Sequence, residues 1–402
     1  MPGILALACQ ADVLENAKRA FDAGNYPQAA KLFAEAHQQS PRCDTLFFLG
    51  LAQYRLHQIE PALISFRSAG ECDPKLIDAQ LALGEAYSER GNLGEALAAF
   101  ERALSIQPNH ASALRGAASV YLRIQDNNQA AVMLTRLIAV DPRDPQAYAD
   151  LGAASVAKGE RELAQANFEA ALKLQPDLPA ALLGLGSLYL KNGEEQRAIP
   201  LLRKAVVLAP KAYEPRFLLG SAYNRLGKFK EAQAELMAAV RLGGEEAEIY
   251  YHLARACGGL GDAPGRAQAL GRFAALSKQA KEAAGAQRQG VLLMDEAKKQ
   301  VEAGNLDAAL AALESARQLR PADAHVLFRL ASLDFDLKRY EAARNYAQEA
   351  ISLAPTEWLY HYLLGLVENA AGRSQAARAS LETAVKLNPG ADEARSALAR
   401  LK

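Results

Sequence analysis

The sequence predicts an all-α solenoid, one array of short helical repeats, and three observations carry that prediction. Pro74, Pro108, Pro142, Pro176 and Pro210 follow one another at a fixed step of 34 residues, and Pro321, Pro355 and Pro389 resume the same step. Twelve residues before these prolines stand Ala62, Ala96, Ala130, Ala164, Ala198, Ala309, Ala343 and Ala377. The third observation is balance: 46 basic and 46 acidic side chains leave the 402 residues formally neutral, with 50% apolar residues. A period of this length marks a repeat architecture whose units bury their apolar faces only against their neighbours. The length alone would suggest two or three domains, but such an array escapes that limit.

Composition also excludes several classes of function. A neutral chain lacks the basic field of a nucleic-acid binder. With 23% charged residues and no net charge it does not resemble a disordered chain. No apolar run approaches the roughly 18 residues of a membrane-spanning helix.

Two further phases complete the period. Gly91, Gly159, Gly193, Gly227, Gly304 and Gly372 lie five residues before the marker alanines or their equivalents. Leu49-Gly50, Leu83-Gly84, Leu151-Gly152, Leu185-Gly186, Leu219-Gly220 and Leu364-Gly365 mark the fourth phase. With these markers the chain resembles the tetratricopeptide repeat family, in which each unit is a helix–turn–helix pair. Eleven units start at residues 10, 43, 77, 111, 145, 179, 213, 247, 290, 324 and 358, covering residues 10–391. The resemblance implies an α-α superhelix. It says little about function, because the family binds many unrelated partners.

Each marker has a physical role in such a unit. The small residue at the eighth position, Ala17, Gly50 or Gly84 for example, lets the second helix approach the first. The alanine at the twentieth does the same from the other side. Glycine at the fifteenth supplies the left-handed conformation that ends the first helix, and proline at the thirty-second stops the second. Phe66, Phe100, Phe168, Tyr87, Tyr121, Tyr189 and Tyr223 are core residues on this reading.

The array is expected to divide into residues 10–289, eight repeats with the eighth extended, and residues 290–391, three repeats. The eighth unit runs 43 residues and its marker alanine comes one place late, as Ala267. Its tail, residues 277–289, reads SKQAKEAAGAQRQ, either a lengthened second helix or a hinge. Residues 392–402 follow as a capping helix, with Ala394, Ala397, Leu398 and Leu401 at helical spacing.

Residues 1–9, MPGILALAC, are read in two ways. Ala6-Leu7-Ala8 matches a signal-peptidase site and Cys9 a lipoprotein cysteine, so the segment is either the remnant of an export signal or an N-terminal extension that covers the first helix. The chain is periplasmic or exported on the first reading and cytoplasmic on the second. Cys43 and Cys72 open and close the second unit, at neighbouring ends of an antiparallel pair. A disulfide there is geometrically open, and so are two separate reduced thiols.

Catalytic and metal motifs are missing. The six histidines form no i,i+4 pair and no HExxH, and no CxxC or zinc-ligand spacing occurs. Gly184-Leu-Gly186 and Gly259-Leu-Gly261 do not complete GxGxxG, and neither GxxxxGK[ST] nor GxSxG is found. Asp334 and Asp336 abandon the EF-hand pattern at Leu337-Lys338. No cofactor, no metal and no enzyme activity are expected.

The resemblance implies a concave groove lined by the first helices. Its apolar lane comprises Leu14, Phe21, Phe47, Leu51, Tyr54, Leu81, Leu122, Leu183, Leu190, Phe217 and Tyr251, then Met294, Phe328, Phe335 and Tyr362. Lys18, Arg55, Arg115, Arg123, Lys191, Arg225 and Arg255 flank it, against Asp44, Asp78, Glu85, Glu89, Glu214 and Glu248. Aromatic residues and arginine anchor interfaces, and an apolar groove suits an amphipathic helix or extended peptide. The clamp of chaperone-tail binders is absent, with Leu14, Lys18, Phe48, Asp78 and Ala82 at its positions. So is the asparagine ladder of sugar-transferring relatives, whose places hold Glu15, Phe48, Ala82, Gly116, Asp150, Gly184, Leu218 and His252. The expected function is a protein–protein interaction scaffold with a protein or peptide partner, in a bacterial cell-envelope or secretion assembly. The alternative is the recognition half of an enzyme, such as a transferase, whose catalytic part is on another chain. Self-association is a third outcome.

Overall fold

The computed structural model describes residues 13–355, 357–388 and 390–401. Among them are 22 helices and no strand. The first repeat pairs α1, residues 13–22, with α2 (Tyr26–Gln39). The second pairs α3 (Cys43–Arg55) with α4 (Ile59–Cys72), the third α5 (Ile77–Arg90) with α6 (Leu93–Ile106). Next come α7 (Ala111–Arg123) and α8 (Asn127–Val140), then α9 (Pro145–Lys158) and α10 (Arg161–Leu174). The sixth and seventh repeats are α11 (Pro179–Lys191) with α12 (Glu195–Leu208), and α13 (Glu214–Arg225) with α14 (Phe229–Arg241). The eighth opens with α15 (Ala247–Gly259), followed by α16 (Ala263–Glu302) and α17 (Leu306–Leu319). Then α18 (Ala324–Asp336) precedes α19 (Tyr340–Leu353), and α20 (Trp358–Ala370) precedes α21 (Ser374–Leu387), before the terminal α22 (Asp392–Arg400).

The repeat markers act as their chemistry requires. The twentieth-position alanines Ala29, Ala62, Ala96, Ala130, Ala164, Ala198, Ala232, Ala309, Ala343 and Ala377 are all fully buried. At the fifteenth position the backbone is left-handed in every repeat, including the three where glycine is missing: His57, Gln125 and Lys338 have φ of 57°, 62° and 58°. That conformation turns the chain out of the first helix so that the next residues can start the second. Several starts are capped as well. Asp144, only 7% exposed, accepts from the backbone N–H of Gln146 and Ala147 at 3.0 and 3.2 Å, satisfying two donors that open α9.

The eighth repeat departs from the expectation. Arg266, not alanine, holds its twentieth place, and both Arg266 and the displaced marker Ala267 are exposed. Residues 277–289 lie inside α16, a single helix of 40 residues. Ala, Lys, Gln and Glu favour a helix even without cover, and Lys278 lies 3.8 Å from Glu282 one turn on. The expected start of the ninth unit at residue 290 is therefore the interior of α16. Ala297, its eighth-position residue, is nonetheless fully buried with Ala309 and Leu313.

The chain forms two compact units, Met1–Leu270 and Gly271–Lys402. In the first, Phe168, Leu202 and Leu236 centre the largest continuous core. In the second, Ala394 of α22 is fully buried with Ala384 and Ala391, beside Trp358 and Tyr362, so this helix covers the last apolar face. Cys43 and Cys72 form a disulfide with Cα atoms 5.4 Å apart, tying the start of α3 to the end of α4. Residues 1–9, with Cys9, lie outside the described residues.

Candidate functional site

The first helices present the residues expected to bind, and most sit at the rim of the core. Leu14, Phe21, Phe47, Leu51, Tyr54, Leu81, Leu122, Leu183 and Phe217 are half-buried, as are Met294, Phe328, Phe335 and Tyr362. Tyr251 is the most open, at 50% exposure. Leu190 is a correction: at 4% exposure it belongs to the core with Phe168 and Leu202 and offers nothing to a guest. Phe47 is also largely committed inward, its ring 5.6 Å from Phe48 and 6.0 Å from Phe66. In contrast, Leu122 and Tyr251 pack into none of the core clusters.

Three of the flanking arginines hold neighbouring repeats together. Arg115 Nη1 donates to Asp144 Oδ2 at 2.5 Å, reaching the cap of α9. Arg123 Nη1 donates to the carbonyl of Ser88 at 2.6 Å, and Arg225 Nη1 donates to the carbonyl of Leu190 and pairs with Glu195 at 3.3 Å. The last two add a second donor to carbonyls in the last turn of a first helix two helices earlier, which already accept from Gly91 and Gly193 N–H, at an end where positive charge is favoured. The flanking cations not bound in this way are Lys18, Arg55, Lys191 and Arg255.

Electrostatics vary along the face. Asp44 accepts two hydrogen bonds from Arg42, at 2.9 and 2.7 Å, which hold its carboxyl below the usual range. Burial pushes the Glu85 carboxyl up, with Arg55 opposing. Burial and a hydrogen bond to Glu89 push the Tyr54 hydroxyl up to about 12. At the far end, burial lowers the pKa of His252, with Arg225 and Arg255 adding to the effect. Among the described residues no group of three His, Cys, Asp or Glu side chains could hold a metal ion. Nor is any helix there long and apolar enough to cross a membrane.

Sequence reasoning missed Arg266. It stands beside Arg255 in a cleft of about 350 Å³ between α15 and α16. The signal was the alanine missing from the twentieth place, hidden by Ala267 one residue on.

Repeated helix hairpins with a partly exposed apolar face are the build of a protein–protein interaction scaffold. The family model of the cilia and flagella-associated protein 70 C-terminal domain matches residues 62–256, and two tetratricopeptide repeat models match residues 300–367 and 360–390. The chain belongs to the tetratricopeptide repeat family. No curated protein sequence matches it. Among solved structures, it is similar to a tetratricopeptide repeat protein from Parabacteroides merdae ATCC 43184, at 20% identity and a TM-score of 0.48, over 61% of this chain and 98% of that one. MamA from Desulfovibrio magneticus RS-1 aligns at 25% identity and a TM-score of 0.38, over 42% of this chain and 96% of that one. YrrB, described as having an unusual peptide-binding site, aligns at 21% identity and a TM-score of 0.42, over 46% and 97%.

Proposed function

We propose that this protein binds a segment of a partner protein along the first-helix face of residues 13–259, without catalysing a reaction on it. The observation that carries this reading is the succession of half-exposed apolar side chains on that face, from Phe21 through Leu81, Leu122 and Leu183 to Tyr251. Surface of this kind on successive repeats is suited to an extended or helical guest. The Cys43–Cys72 disulfide favours an oxidising compartment, which supports an exported protein serving a cell-envelope or secretion assembly.

The test is affinity capture from the source cells, read by mass spectrometry, with the wild type beside an Arg55→Glu, Leu122→Glu double variant. Neither residue is fully buried, so helicity measured by circular dichroism should be unchanged. Loss of a partner in the variant is the expected result. Equal capture by both proteins removes this face from the argument.

A further inference from the structure

Ten of the eleven repeats close their helix pair in one way. A fully buried alanine at the twentieth position lies over a large or small apolar residue at the twenty-fourth, never more than 3% exposed, as in Phe100, Phe168 and Leu236. The eighth repeat does not close. Arg266 replaces the alanine and Leu270 at the twenty-fourth place is 40% exposed, so a cleft stands where the others have core. Its walls are Tyr251, Ala254, Arg255, Gly258, Arg266 and Leu270. The Arg266 stem runs along Gly258, where an added β-carbon would come 3.4 Å from Cδ.

Two arginines share this cleft. Arg255 and Arg266 enter it from α15 and α16, and among the described residues neither side chain has a hydrogen bond or an ion pair. Elsewhere on the first unit Arg115, Arg123, Arg216 and Arg225 are each tied to a carboxylate or a carbonyl. The acid nearest in sequence, Asp262, is engaged by Gly265 N–H at 2.9 Å and by Gln233 Nε2 at 3.2 Å. Asp262 also lines the adjoining cavity with Arg266, but the donors of both guanidinium groups stay open over an apolar floor. A carboxylate completes them with charge-assisted, forked hydrogen bonds. The floor of Ala254 and Leu270 takes an aliphatic or aromatic side chain beside it.

We propose that the cleft of the eighth repeat is a docking site for an acidic segment of a partner protein, with Asp or Glu flanking a Leu-, Ile- or Phe-like residue. This rests on the interaction-scaffold reading above and adds a chemistry for the guest. Arg255 and Arg266 receive the carboxylates, and Leu270 receives the apolar side chain.

The experiment pans a random displayed peptide library on the full chain and synthesises the enriched peptides. Their affinities are measured for the wild type, for Arg255→Ala with Arg266→Ala, and for Arg55→Glu with Leu122→Glu. Arg266→Ala restores the alanine of the other repeats and Arg255 is exposed, so both substitutions are compatible with the fold. The expected result is a class of acidic, leucine-containing peptides that bind the arginine variant at least about tenfold more weakly, as do their Gln and Asn counterparts on the wild type. Raising salt from about 50 to about 500 mM should weaken them as well. Peptides that lose affinity only in the Arg55/Leu122 variant overturn this inference and leave the scaffold reading standing. If neither variant weakens any peptide, or if none is enriched, both readings are overturned. A free acidic amino acid competing as well as the peptides would show a small-anion site and overturn the partner assignment.

Discussion

The ring of Phe100 lies so close to Gly116 that a β-carbon on Gly116 would sit 2.3 Å from Cε1. A β-carbon on Gly84 would sit 2.5 Å from the same atom, so the phenyl group packs on two first helices that lack side chains at the contact. Phe168 repeats the arrangement with Gly152 and Gly184, at 2.7 and 2.4 Å. In these two repeats the sixth place of the first helix is set by the ring of the preceding repeat, which is why Gly116 and Gly184 stand where an asparagine ladder would require side chains. Gly116→Ala gains helix propensity but overpacks the ring, for a net loss of about 1–2 kcal/mol. Phe100→Leu should recover part of that loss, read from a double-mutant cycle in urea.

The left-handed positions make an opposite prediction. His57, Gln125 and Lys338 hold a conformation that costs a side-chain-bearing residue about 1 kcal/mol, partly offset by the greater freedom of glycine in the unfolded chain. Each change to glycine should raise stability by up to about 1 kcal/mol, visible as a higher urea midpoint. No gain at any of the three would show that the strain is relieved elsewhere.

The disulfide should be worth a measurable amount. Cys43 and Cys72 are 29 residues apart, and closing a loop of that size stabilises by about 3.6 kcal/mol on the chain-entropy account. Dithiothreitol should lower the urea midpoint of the wild type and leave that of a Cys43→Ser, Cys72→Ser variant untouched. A thiol count on the native protein checks the pairing directly.

His252 should make stability depend on pH. Burial, then Arg225 and Arg255, lower its pKa from 6.5, while Glu248 acts in the other direction. Between the lowered value and 6.5 the unfolded chain binds the proton and the folded chain does not. Stability contributed by this group is therefore present above that window and is lost as pH falls through it. The melting temperature, followed from about pH 7.5 to about pH 5, should fall less in His252→Asn than in the wild type.

How far the sequence could be read depends on what each position demands. The fifteenth, twentieth and thirty-second positions ask for a specific backbone conformation, the absence of bulk, or a missing N–H, and few residues satisfy each, so the fold was legible in Gly91, Ala96 and Pro108. A position that only lines a face accepts many residues in many orientations. Leu183 and Leu190 lie on the same helix with the same composition, yet Leu190 is core. Arg55 and Arg123 both occupy the thirteenth place of a repeat, but only Arg123 finds a carbonyl to bond. The cleft depends on Arg266, and its signal was a marker displaced by one residue.

The helix α16 leaves a practical consequence. From residue 271 to 289 it has backbone hydrogen bonds but no buried side chain. Protection of its amides then rests largely on local helix stability, and deuterium exchange there should be faster than in α10 or α18. The same residues include Lys278, Lys281 and Arg288, all exposed. Brief trypsin treatment should cut between them first and release two fragments, each retaining a core of its own and each suited to separate crystallisation.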